Sequence, residues 1–544
     1  AGQASVQLGQ LAAAAAMAGE VLDLAESKDI PQLIYPAQEL LGQLAQQQGD
    51  AAAAERHLAA AIAALERIQG RLMVEYRADY IADKDALYGQ MVSLQLGLDR
   101  PDIALEYAER AKSRALLLML SQRLDLSLSP RRPEDEGLVC QLNEARSARD
   151  NAYFQLESMY GQGSTPERLA LQAELTGQER QITDLWHQLL RRHASYGRDA
   201  ALWQVQVEPA QPYLAEDSAL VEYFVADGTL LAFIVTRETI RVEPLAVAVA
   251  EIQSWLQRLQ LNLRSVPRTR PERRELAVRN VQGILARLHE LVMAPLGMLP
   301  ARLMIVPHGP LHYLPFAALF DGAHYLIEQH TLSYLPGASF LKYCLEQSNG
   351  GTGALVVGHS YSERLPFTLA EATRIGDLVA TAPLLEEAAT VGAVQAGMAE
   401  ARLIHLATHG EFRADSPLFS GLALADGWLN TLDVFNTRLR ASLVTLSACQ
   451  TGRNVVAGGD ELLGLMRAFL SAGAASLISS HWAVDDRSTA ALMATLYRQL
   501  FAGAAKADAL RQAQLELIRE PVEGYQHPYF WAPFYLVGDP GQLD

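Results

Sequence analysis

Two apolar runs in this chain each end on a side chain able to do chemistry. Leu403-Ile404-His405-Leu406-Ala407-Thr408-His409-Gly410 reads as a buried strand that breaks at a His-Gly pair. Forty residues on, Leu443-Val444-Thr445-Leu446-Ser447-Ala448-Cys449-Gln450-Thr451-Gly452 is a second such run, and it ends in a Cys. At the carboxyl ends of neighbouring parallel strands, an imidazole and a thiol can meet across the sheet edge. The imidazole would then favour the thiolate, which is the nucleophilic form. A Gly after each reactive residue allows a tight turn and the close approach of a substrate backbone. The N–H groups of Gly410 and Cys449 are natural donors to an oxyanion.

The remaining polar residues near these runs are read more plainly. His405 lies within its strand and is expected in the core, whereas His481, near another strand end, is read as a pocket-wall residue. Cys344 and Cys140 fall in helical text and are expected to pack. Asp460 and Glu461 follow Gly458-Gly459 as helix-start residues, and Asp415 with Ser416-Pro417 shapes the loop after His409. The chain has no HExxH, CxxC, GxxxxGK[ST] or GxSxG sequence, so the zinc-peptidase, thiol-redox, P-loop and Ser-hydrolase readings lack their residues. No cofactor and no metal are expected.

The elements that must carry the two strand ends are legible from periodicity. After residue 200, Ala219–Val225 and Leu230–Val235 flank Ala226-Asp227-Gly228-Thr229, a hairpin signal. Two helices are expected over about 248–263 and 272–293, followed by a strand at Arg302–Val306. From 353 onward strands at Ala354–Gly358, Arg402–Thr408, Ser442–Ala448, Ala475–Ser480 and Phe534–Val537 alternate with helices. That alternation predicts an α/β domain with a mostly parallel sheet covered by helices, whose chemistry gathers at the carboxyl strand ends.

Ahead of it, up to about residue 125, the text is rich in Ala, Leu and Gln and nearly free of Pro. Leu41, Gly42, Ala45, Ala54, Leu58 and Ala61 fall where a tetratricopeptide repeat (TPR) places small and apolar residues at the contact of two antiparallel helices. Ala104, Ala108 and Ala111 repeat the second-helix pattern, and Ala14, Ala18 and Val21 echo it faintly. A generic Ala-rich bundle is the alternative. From 134 to 196 the pattern is helical again, broken at Gly161–Pro166. Leu171, Leu175, Ile182, Leu185 and Leu189 form an apolar stripe on the second arm, so the stretch reads as a long hairpin acting as a spacer.

Composition bounds the rest. With 544 residues the chain has room for three or four domains. Half of it is hydrophobic and a fifth charged, which is globular composition. The formal charge of −17, with only five Lys, argues against a nucleic-acid partner. Three Cys make no disulfide framework and suit a reducing, cytoplasmic setting. The charge-free run Leu303–Phe320 carries Pro307, Gly309, Pro310 and Pro315, so no membrane span is expected. A start at Ala1 without a basic n-region gives no sign of a signal peptide.

The two strand ends also carry a family resemblance. Ala407-Thr408-His409-Gly410 and Ser447-Ala448-Cys449-Gln450-Thr451-Gly452 resemble the His-Gly and Cys strand ends of the CHAT branch of the caspase-like cysteine peptidases, commonly found behind tetratricopeptide repeats. Val306–Leu319 is similar to a recurrent CHAT segment, although His308 stands where Asp is expected. Gly459–Leu465, His481–Asp486, His527–Phe534 and Glu106–Leu116 also look like CHAT text. The caspase signature itself has Gln where Ser447 stands and a wider His-to-Cys spacing, so the likeness is to a cousin of caspases.

The resemblance implies a regulated cysteine endopeptidase related to separase, with His409 and Cys449 catalytic, Gly410 and Cys449 at the oxyanion, and no cofactor. It also implies the divisions 1–125 helical repeats, 126–200 spacer, 201–347 inactive caspase-like half and 348–544 active half. Asp485, Asp486 and Trp482 lie in a segment similar to one that supplies an acidic primary pocket in separase. A carboxylate there would select Arg or Lys before the scissile bond, but either Asp could equally cap the helix beginning near Arg487. The expected partners are a protein substrate and a protein regulator at the repeats. A catalytically silent scaffold with a caspase-like binding module is the rival reading.

Overall fold

A computed structural model describes residues 11–28, 30–71, 85–121, 209–347, 350–365, 367–411, 420–449, 463–520 and 524–543, with separate helical residues between 136 and 188. Asp415, Ser416, Pro417, Asp460, Glu461 and the break at Gly161–Pro166 lie outside the described residues.

The front is helical: α1 (Leu11–Ser27), α2 (Pro31–Gln47), α3 (Ala51–Arg71), α4 (Asp85–Gly97) and α5 (Pro101–Ser121). Its small residues do what their spacing predicts. A Cβ on Gly42 would come within 2.9 Å of the Leu58 side chain, so α2 and α3 touch where Gly leaves room. Ala54, Ala61, Ala104 and Ala108 are fully buried. The faint first copy holds only in part, because Ala14 and Ala18 are buried while Val21 is exposed. The described residues of the 126–200 stretch are helical, with Val139, Leu142 and Leu185 buried. Cys140 departs from expectation: it is exposed, beside the buried Val139, and is therefore not a packing residue.

The rest is an α/β domain with a mixed sheet. Its strands are β1 (Ser218–Ala226), β2 (Thr229–Val235), β3 (Ile240–Leu245), β4 (Arg302–Val306), β5 (Thr331–Tyr334), β6 (Ala354–Gly358) and β7 (Leu384–Leu385). They continue as β8 (Leu403–Glu411), β9 (Gly421–Leu424), β10 (Gly427–Asn430), β11 (Leu443–Cys449), β12 (Ser476–Ser480) and β13 (Phe534–Gly538). Helices α6 (Val249–Ser265), α7 (Arg274–Val292), α8 (Leu326–Gln329), α9 (Phe340–Glu346), α10 (Phe367–Leu378), α11 (Val391–Glu400) and α12 (Thr431–Phe435) are interleaved with them. After β11 come α13 (Leu463–Ala472), α14 (Asp486–Phe501), α15 (Lys506–Arg519) and α16 (Pro528–Trp531).

The β1–β2 hairpin turns on Asp227 and Gly228, at φ 48° and 78°, the left-handed pair that a tight two-residue connection requires. The strand order is β10-β9-β8-β11-β12-β13-β5-β4-β1-β2-β3, with β6 on β8 and β7 on β6. The ladders β6–β8–β11–β12 and β13–β5–β4–β1 are parallel and nearly continuously apolar, as sheets covered on both faces must be. They meet through the antiparallel pair β12–β13, so one sheet runs unbroken across residues 201–347 and 348–544.

The helical front is built onto this sheet. A single apolar core reaches from Leu58 through Ala108 to Val537. Within it, Glu109 of α5 accepts hydrogen bonds from Ala338 N–H at 2.8 Å and from the N–H and hydroxyl of Ser339 at 2.7 Å. Lys112, one turn on, pairs with the buried Glu222 of β1 at 3.3 Å and donates to the Tyr223 and Pro307 carbonyls.

Candidate active site

β8 is the strand that positions His409, and its pairing changes at that residue. Along residues 403–407 it is flanked by β6 on one side and β11 on the other. β6 ends at Gly358, opposite Ala407, and from Gly410 the same edge is taken over, antiparallel, by β9. Thr408 and His409 stand at the handover. On the β11 side the register runs Ser447↔Ala407 and then Cys449↔Gly410, so two residues of β8 face one of β11. This is a bulge, a device that re-aims a side chain next to a site. Thr408 is buried and donates to the Ala423 carbonyl, whereas His409 is only part-buried. The expected oxyanion pair, Gly410 and Cys449, are register partners one inter-strand spacing apart.

The gap left where β6 stops is filled by aromatic rings that the sequence did not flag. Tyr361 stacks on the His409 imidazole with ring centroids 4.3 Å apart and planes 21° apart. Trp428 of β10 meets His409 edge-on at 6.0 Å and Tyr361 at 6.3 Å. The Arg364 guanidinium lies 5.2 Å from the Tyr361 centroid. Tyr361, Ser362 and Glu363 have φ of 52°, 57° and 63°, three successive non-glycine residues in the left-handed region. At about 1–2 kcal/mol each, such residues cost more together than the roughly 0.5–1.5 kcal/mol of a ring stack. The turn is held instead by buried Ser360, whose hydroxyl accepts from Glu363 N–H and whose carbonyl accepts from Leu365 N–H. Glu386 receives the Ser360 N–H at 3.2 Å, and His359 N–H ties the strand end to the Ala407 carbonyl.

Beneath the strand ends, His405 is fully buried, with Nδ1 3.0 Å from the Tyr497 hydroxyl and Nε2 3.0 Å from Glu371. Tyr497 in turn donates to Thr445 of β11, opposite His405 in the register. The core reading of His405 matches this network, which cross-links β8 and β11 to α10 and α14.

Farther along the strand ends, Asp485 caps α14, accepting from Ser488 N–H at 2.9 Å. It also borders a cleft of about 640 Å³ walled by Arg274, Arg487, His527 and Tyr529. Asp486 is pushed up to about 6, first by burial and then by the carboxylates of Asp485 and Glu371. Trp482 donates from Nε1 to the Tyr529 carbonyl and lies in near-parallel contact with His481. His481 also stacks on Tyr535 at 4.1 Å, and neither ring nitrogen has a hydrogen-bond partner among the described residues. Burial, with His312 nearby, pushes its imidazole down to about 3, so it is neutral near pH 7 and unsuited to proton transfer there. Cys344 is buried and its thiol is pushed up to about 12, chiefly by burial, which makes it inert. Among the described residues no helix is long and apolar enough to cross a membrane, and no cluster of His, Cys, Asp and Glu is set to hold a metal.

Comparison with known proteins finds likenesses over part of the chain. Residues 282–539 match the CHAT domain. Tetratricopeptide repeat protein 28 of Mus musculus is 24% identical over 329 residues, and that of Homo sapiens is 24% identical over 334. Each match covers 48% of this chain but 13% of the relative, so the chain corresponds to a small part of those proteins. Among solved structures, the Saccharomyces cerevisiae separase–securin complex aligns over 96% of this chain and 48% of that one, at 11% identity and a TM-score of 0.44. The Arg-specific cysteine proteinase gingipain R aligns over 49% of this chain and 67% of that one, at 10% identity and a TM-score of 0.29.

Proposed function

We propose that the chain, whose residues 282–539 match the CHAT domain, is a caspase-like cysteine endopeptidase acting on a protein substrate through His409 and Cys449. The observation that supports this reading is the bulged β8–β11 register, in which the backbone of Cys449 pairs with Gly410, the residue after His409. In the reaction His409 supports the Cys449 thiolate, which attacks a peptide carbonyl carbon. The oxyanion forms against the N–H groups of Gly410 and Cys449. Protonated His409 passes its proton to the leaving amine as the C–N bond breaks, and water then hydrolyses the thioester.

Of the two acidic pocket residues, Asp486 suits an Arg or Lys side chain better, since the Asp485 carboxylate is engaged as a helix cap. Trp482 would form a wall beside it. A protein regulator would act through the helical front, whose last helix, α5, is docked on the sheet by Glu109 and Lys112. No nucleic-acid partner or cofactor enters this reading.

The test is labelling of the full chain by thiol-reactive peptide warheads with Arg, Leu or Asp in the primary position. Labelling at Cys449 that vanishes in Cys449→Ala and collapses in His409→Ala is the expected result, with Arg preferred. Warhead capture that ignores both substitutions would leave a silent scaffold as the better account.

A further inference from the structure

The turn after β6 is unusual in what it spends backbone conformation on. Three left-handed, non-glycine residues in succession, anchored by buried Ser360 and tied to Glu386, deliver one side chain, Tyr361, onto the face of His409. The position is the one place along β8 where neither β6 nor β9 covers the edge. A ring there limits rotation of the imidazole about its side-chain bonds into that gap. Trp428 meets both rings edge-on and closes the same corner. The bulge sets where His409 leaves the strand, and the stack sets the plane in which its imidazole lies.

We propose that Tyr361 is a positioning residue for His409, holding the imidazole in the one plane from which it exchanges a proton with Cys449 and with the leaving amine. This inference rests on the dyad reading above. The ring face does the work, so Phe should replace Tyr361 and an aliphatic side chain should not. The stack restrains a rotation that otherwise has several states, so its loss acts on the rate through misplacement of the reacting group.

The experiment uses the full chain with ¹³C-labelled His, in wild type, Tyr361→Phe, Tyr361→Leu and His409→Gln. The His409 resonance is identified by its loss in His409→Gln. Alkylation by iodoacetamide is followed at Cys449 by mass spectrometry, with the exposed Cys140 of the same molecule as the internal reference. Tyr361→Leu should move the carbon-bound His409 protons downfield, out of the tyrosine ring current. It should also lower the Cys449-to-Cys140 rate ratio by about 10- to 100-fold, at an unchanged Cys140 rate and with a cooperative melt. Tyr361→Phe should match wild type in both readouts. Unchanged His409 protons in Tyr361→Leu, an unchanged ratio, or a Phe variant as impaired as Leu would each overturn the proposal. If wild-type Cys449 reacts no faster than Cys140 and His409→Gln changes nothing, the dyad reading itself fails. The role of Tyr361 in the reaction then falls with it, even where the proton shift shows the rings stacked.

Discussion

Glu109 and Ser339, 230 positions apart in sequence, share two hydrogen bonds of 2.7 Å in the core between the helical front and the sheet. The carboxylate grips the backbone at the start of α9, and from α9 the Tyr343 hydroxyl donates to the Leu470 carbonyl of α13 at 3.3 Å. α13 is the helix that follows β11, and α5 also packs against it. A displacement of α5 by a bound partner would therefore be passed to α13, which packs against β12, the strand beside β11. Removal of one partner from such a buried set leaves donors unsatisfied, which costs far more than an exposed pair does. Glu109→Gln should lower stability by about 1–3 kcal/mol, measured by urea unfolding, and should change the Cys449 alkylation rate although the two residues do not touch. A rate equal to wild type, beside the stability loss, would mean the front is a structural support and no lever.

His481 makes a prediction of opposite character, since its role is in packing. Its imidazole is held down to about 3 in the folded chain, chiefly by burial, against about 6.5 when unfolded. The unfolded state thus binds the extra proton first, and stability falls as pH drops below 6.5. At pH 5 the loss is about 2 kcal/mol. His481→Phe, which keeps the stack on Tyr535, should abolish that loss: its melting temperature should exceed wild type at pH 5 and match it near pH 8. Equal differences at both pH values would show that His481 gains a proton partner that the folded geometry does not give it.

The strands that end near His409 and Cys449 are readable because fully buried strands are continuous apolar runs, and both residues stand at the close of one. The same rule misses β5, β7, β9 and β10, which have two to four residues and too little text for a pattern, and β3, whose six residues are mostly exposed or half-buried and form no apolar run. β9 and β10 matter most, since they bring Trp428 to His409. Tyr361 was out of reach for another reason. Its Tyr-Ser-Glu context carries none of the Gly or Asn that marks a left-handed turn, and only Ser360 and its partners make that turn affordable. The antiparallel β12–β13 pair likewise depends on which strands meet, and local periodicity does not encode that. Asp485 and Asp486 were equal as caps on paper; the backbone direction at the start of α14 chose Asp485.

That choice leaves Asp486 with a carboxyl pushed up to about 6, against about 3.8 in the unfolded chain. Between those values the folded state holds the proton that the unfolded state has released. Stability therefore falls as pH rises through the window from about 3.8 to 6, and the penalty is complete above it. Since the side chain is only part-buried, solvent screening cuts the effect to about 1–2 kcal/mol. Asp486→Asn should raise the melting temperature at pH 8 and change little at pH 4, measured by calorimetry on the full chain. The same titration bears on substrate choice. If Asp486 receives a basic side chain, preference for an Arg warhead over a Leu warhead should grow as pH rises from 5 to 7.5 in wild type and stay flat in Asp486→Asn. A wild-type preference that is flat with pH, alongside the stability change, would assign Asp486 to the helix start alone and move the search for the primary pocket to Trp482 and its neighbours.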